Sequence, residues 1–91
     1  MAVVAIQIKV MPSSPDEDIP ALREEIQVVL KRAGAIRIEK IEEQEIAFGL
    51  KAIIVTVAWP EEKETSEAQT AIESIEGISS TDIIDYRRAF G

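Results

Sequence analysis

The chain has 91 residues and a mass of 10.1 kDa, which bounds it to one domain with one modest core. It contains no cysteine and no histidine, so disulfide scaffolds, thiol nucleophiles, cysteine-rich zinc sites and every histidine-dependent triad are excluded. Ten Lys and Arg against seventeen Asp and Glu leave a formal charge of −7, which repels phosphate backbones and argues against direct nucleic-acid binding.

Residues Val3 to Val10 alternate, with Val4, Ile6, Ile8 and Val10 on one face, and predict a half-buried strand. The run Met11-Pro12-Ser13-Ser14-Pro15 punctuates the chain. Apolar residues then recur at Ile19, Leu22, Ile26, Val29, Leu30 and Ala33, one helical stripe. Asp18 is the expected N-cap, Pro20 suits the first turn and Gly34 the C-terminal stop, with Lys31 and Arg32 at the negative end of the helix dipole.

A short alternating strand is expected over Ala35 to Glu42, then a charged connection through Glu42, Glu43 and Glu45. A longer β-branched strand follows from Ala47 to Trp59. After a polar loop from Pro60 to Glu64, a second helix starts at Thr65 or Ser66 as N-cap, carries Ala68, Ala71, Ile72 and Ile75, and stops at Gly77. A last strand spans Ser80 to Phe90.

The order β-α-β-β-α-β with right-handed crossovers predicts an α+β, ferredoxin-like two-layer sandwich: an antiparallel sheet of order 4-1-3-2 with both helices on one face. In this arrangement strands 1 and 3 are expected to run parallel, which would set Phe48 and Arg88 at one sheet edge, roughly 10 Å apart. Ile53, Val55 and Val57 should face the helices. Phe48, Leu50, Ala52, Ile54 and Thr56 should line an uncovered apolar face, and Trp59 should plug the helix ends.

The catalytic inventory is thin. Carboxylate pairs such as Asp82 and Asp85 read as solvated surface, the serines lack a base, and the four glycines are isolated, so neither an enzyme nor a metal, cofactor or small-molecule substrate is expected. The apolar run from Ala52 to Val55 is far too short to span a membrane, and no secretory signal is legible, so a cytoplasmic location is expected. On residues alone, an interaction module and a small-molecule-sensing regulatory module both remain open.

The segment Ala47-Phe48-Gly49-Leu50-Lys51-Ala52, the later Ile75-Glu76-Gly77-Ile78, and the ending from Thr81 to Phe90 resemble the elongation factor 1-beta family, as does the opening Ile8-Lys9-Val10-Met11-Pro12. The likeness runs over nearly the whole chain and is closest to the stand-alone archaeal form. It implies that residues 1–91 form a single guanine-nucleotide exchange domain of ferredoxin-like fold, with elongation factor 1-alpha, a GTPase, as partner and no covalent chemistry. It further implies partner contacts through Phe48, Gly49, Leu50 and Lys51, and a basic residue near the C-terminus, Arg88 with Arg87 beside it, that reaches the Mg²⁺ and phosphate region of the GTPase. Eukaryotic members carry lysine at that place and end almost at once; here arginine is followed by Ala89-Phe90-Gly91.

Overall fold

The computed structural model describes residues 2–90. Its elements are β1 (Val3–Pro12), α1 (Ile19–Ala33), β2 (Arg37–Ala47), β3 (Leu50–Pro60), α2 (Thr65–Glu73) and β4 (Ile78–Phe90). The four strands form one sheet in the order β2-β3-β1-β4, the expected 4-1-3-2 read from the other edge. Both helices pack on one face.

The core is the row that periodicity marks. Val4, Ile6, Ile8 and Val10 from β1 and Ile53, Val55, Val57 and Trp59 from β3 are fully buried, beneath Leu22, Ile26 and Leu30 of α1 and Ala68 and Ile72 of α2. Trp59 closes this cluster, as its strand-end position suggests. Helix α1 begins where its cap chemistry requires: the Ala21 N–H donates to Asp18 Oδ1 at 3.2 Å. It ends at Gly34, whose φ of +115° is the left-handed geometry glycine adopts without a Cβ penalty.

Several expectations are corrected. Strand β1 runs antiparallel to β3, with Val4 opposite Trp59 and Val10 opposite Ile53. It is also antiparallel to β4. Each crossover helix returns the chain in its starting direction, so β1 matches β2 and β3 matches β4, and the tight β2–β3 hairpin reverses the sense between the two pairs. Glu42, Glu43 and Glu45 belong to β2, not to a connection. An edge strand with one exposed flank holds carboxylates at little cost, and cations meet them: Lys40 lies 3.3 Å from Glu42 and Lys51 3.5 Å from Glu43.

Strand β3 consequently starts at Leu50, and Phe48 lies in the turn before it. Helix α2 has Glu64 at its N-cap without a side-chain cap bond, and it ends at Glu73 with Ser74 as C-cap. Strand β4 begins at Ile78, two residues before the expected Ser80. The uncovered sheet face is also less exposed than expected, since Ala52, Ile54 and Ala58 are buried. These side chains are short or lie between neighbouring strands, and Gln7 Nε2 donates to Thr56 Oγ1 at 3.2 Å across that face.

Candidate functional site

The hairpin joining β2 to β3 pairs Ala47 with Leu50 and leaves Phe48 and Gly49 as a two-residue loop. Phe48 has φ +53° and Gly49 φ +79°. Positive φ at both central positions is the type I′ turn, whose twist matches that of the flanking strands. Asn-Gly is the usual occupant. A phenylalanine in the left-handed region costs about 1–2 kcal/mol, because its Cβ crowds the following carbonyl. The ring offsets none of that by packing: it is 98% exposed. Ile46, two residues earlier in the chain, is 43% exposed. A hydrophobic side chain held on a strained turn in solvent is what a docking contact requires and what folding alone disfavours.

Leu50 is half-buried and Lys51 is exposed at the start of β3, so the residues from Phe48 to Lys51 form one continuous hairpin tip. Beside it a groove of about 410 Å³ opens between the β1–α1 loop and the hairpin, with Glu17, Asp18 and Glu43 on its walls.

Arg87 and Arg88 lie elsewhere. In the ladder Arg88 faces Val4 and Arg87 faces Ala5. Alternation therefore puts Arg88 on the helix side of the sheet and Arg87 on the open side. Each meets a carboxylate: Arg87 Nε is 3.0 Å from Asp85 Oδ2, and Arg88 Nε is 2.7 Å from Glu61 Oε2. The side chains of Ala89 and Phe90, and Gly91 altogether, lie outside the described residues.

Val4 is flanked by Trp59 on one side and Arg88 on the other, so Arg88 is level with the end of β3. Leu50 to Trp59 is nine strand steps, about 30 Å at 3.3 Å per residue. The expected clustering of Phe48 and Arg88 is overturned: they occupy opposite ends of a molecule 41 Å long. The antiparallel relation of β1 to β3 is the reason.

Charge follows the same axis. Gln7 faces both Thr56 and Asp85, and Thr56 faces Lys40, at mid-sheet. On the hairpin side of that line, three cations (Lys9, Arg23, Lys51) stand against eleven carboxylates (Asp16, Glu17, Asp18, Glu24, Glu25, Glu42, Glu43, Glu45, Glu73, Glu76, Asp82), a balance of −8. On the other side, six cations (Lys31, Arg32, Arg37, Lys63, Arg87, Arg88) stand against five carboxylates (Glu39, Glu61, Glu62, Glu64, Glu67), a balance of +1. Lys40 and Asp85 cancel at the line, so the chain's −7 is almost wholly a property of the Phe48 end.

Reading the sequence singles out Phe48 and Arg88 but misses what surrounds Arg88. Glu61, just past Pro60, carried no signal, because its partner is 27 positions away in the chain. Lys63, whose Nζ sits 5.8 Å from the centre of the buried Trp59 ring, was equally silent. Among the described residues no cluster of three or more Asp or Glu is placed to hold a metal, and no helix is long and apolar enough to cross a membrane.

Residues 5–88 match the EF-1 guanine nucleotide exchange domain family. The chain is 40% identical over 89 residues to elongation factor 1-beta of Methanothermobacter thermautotrophicus, covering 97% of this chain and 98% of the relative. It is 42% identical over 89 residues to elongation factor 1-beta of Methanosarcina barkeri, covering 97% and 99%, and 39% identical to that of Methanosphaera stadtmanae, covering 97% and 98%.

Proposed function

Because the chain belongs to the EF-1 guanine nucleotide exchange domain family and is a translation elongation factor of the guanine-nucleotide exchange class, we propose that it accelerates release of GDP from the GTPase elongation factor 1-alpha. In this reading the partner is gripped at two separate places. Phe48 docks into an apolar recess, and Arg88 brings positive charge to the Mg²⁺ and phosphate region. The observation that carries the reading is Phe48 itself, an aromatic ring 98% exposed on a left-handed turn residue.

The physical sequence follows from the partner's chemistry. A GTPase holds GDP through Mg²⁺ and a nest of backbone N–H groups around the phosphates. A guanidinium brought beside that site competes with Mg²⁺ for the same anionic oxygens and disturbs the loop that cradles them. GDP leaves faster, and GTP re-enters by mass action. The factor stabilises the nucleotide-free state and makes no covalent bond. Arginine supplies the charge as a flat fork of donors rather than as a compact ammonium.

The roughly 30 Å between the two ends divides the labour. Docking at the hairpin determines how much factor is bound, and the cation determines how fast nucleotide leaves once it is bound. Opposite the −8 half, the docking surface of the partner is basic by complementarity. The deciding measurement is release of labelled GDP from elongation factor 1-alpha with and without this chain. Release should accelerate in proportion to the factor until saturation, and an unchanged rate at saturating factor would overturn the reading.

A further inference from the structure

We propose that Glu61 is a positioning residue for Arg88. The proposal rests on the role given to Arg88 above. Glu61 follows directly on β3, and its backbone N–H donates to the Ala2 carbonyl at 3.1 Å, which pins it to the start of β1. From there its carboxylate reaches across the end of β1 to Arg88 on β4. The Glu61 side chain is 30% exposed, while that of Arg88 is 65% exposed. Glu61 Oε2 is buried and accepts no hydrogen bond among the described residues, so its 2.7 Å ion pair with Arg88 is what compensates its charge.

The way the two groups meet matters for function. The closest approach is through Nε, the inner donor of the guanidinium. In a planar guanidinium the Nη1–Nη2 edge points away from Nε, so a carboxylate seated at Nε leaves the outer fork directed outward, the edge that binds phosphate oxygens bidentately. A free arginine samples many rotamers and must lose that freedom at the moment it engages an anion. Glu61 removes part of that loss in advance. It touches neither nucleotide nor metal; it acts only through the side chain it holds.

The test is a double-mutant cycle with Arg88→Ala, Glu61→Ala, Glu61→Gln and the double Ala variant, reading the maximal GDP release rate and the half-saturating factor concentration separately. Glu61→Ala should lower the maximal rate about three- to tenfold, the scale of one side chain's lost ordering, with little change in half-saturation. Glu61→Gln should fall between, since its amide oxygen keeps a polar atom beside Nε but carries no charge. The double variant should equal Arg88→Ala alone, because a residue acting through Arg88 has nothing left to act on. In the factor without partner, the Arg88 Nε–H resonance, assigned by its loss in Arg88→Lys, should shift in Glu61→Ala. An unmoved resonance would overturn the proposal by showing that Glu61 does not hold Arg88; a merely structural role would leave the maximal rate unmoved. A maximal rate in Glu61→Ala at or above wild type, or a further loss on top of Arg88→Ala, would overturn the proposal. Arg88→Ala at the wild-type rate would instead overturn the reading of Arg88, so the two failures are distinguishable.

Discussion

At the hairpin end an aromatic ring without packing partners stands on a strained turn in a half of net charge −8, whereas at the strand-terminus end a cation is held by a carboxylate in a half of net charge +1. The first end stores unfavourable free energy that only a partner relieves. The second is internally satisfied at Nε, where Glu61 sits 2.7 Å away, and keeps its outer fork for a second anion. A docking anchor and a reaction-site probe therefore leave different physical traces in the free protein, and the two ends should fail differently when mutated.

The largest effect is expected at the satisfied end. Truncating one member of a desolvated charge contact costs about 2 kcal/mol or more, so Arg88→Ala should slow GDP release at saturating factor roughly thirtyfold while leaving the half-saturating concentration nearly unchanged. Arg88→Lys should retain much of the rate. Arg87→Ala should lose less than Arg88→Ala, because alternation directs that side chain to the open face. A larger loss at Arg87 would reverse the assignment of the two arginines.

Phe48→Ala should show the converse pattern. An aromatic anchor is commonly worth 2 kcal/mol or more, so the half-saturating concentration should rise at least about tenfold with the maximal rate largely retained. Phe48→Asn sharpens the comparison further. Asn-Gly suits a type I′ turn, so this variant should dock poorly yet melt higher by about 4–8 °C for each kcal/mol of strain released. An unchanged melting temperature would mean that the turn stores no strain.

A smaller effect is expected from long-range charge. Neutralising the exposed Asp16, Glu45 and Glu76 to Asn and Gln should lower the association rate a few-fold at low salt, and the difference should shrink as ionic strength rises. Neutralising Glu62 and Glu64 at the other end should not lower it. Equal slowing from both sets would contradict a basic docking surface opposite the hairpin half.

The smallest effect concerns a fully solvated pair. The Arg37 guanidinium, 2.6 Å from Glu39 Oε1, donates hydrogen bonds to that carboxyl and holds its pKa below the ordinary glutamate value. A depressed carboxyl contributes its stability above the unfolded-state pKa and loses it as pH falls through the folded one. Arg37→Gln should return the Glu39 titration, followed by carboxyl NMR, to the ordinary range with no measurable change in melting temperature, since exposed pairs contribute little. A clear drop in melting temperature would mark the pair as structural.

Local chemistry determined much of this protein without reference to its tertiary structure. Asp18, Gly34 and the stripe from Ile19 to Ala33 specified α1, because caps and 3.6-residue periodicity depend on neighbours within one turn. Alternation in β1 and the row Ile53, Val55, Val57 specified the core faces, and the element order specified the sheet order. The family motifs singled out Phe48 and Arg88. What tertiary structure alone decided is how those residues stand to one another. The charged stretch from Glu42 to Glu45 reads as a loop because its strand propensity is low, yet ladder pairing with β3 and cations from Lys51 and Arg23 make it strand. That extension moves Phe48 from a strand face into a strained turn, and the strand directions then send it and Arg88 to opposite ends. The Arg88–Glu61 pair exists only because β1 lies between β3 and β4, a proximity across 27 positions of chain that no local pattern encodes.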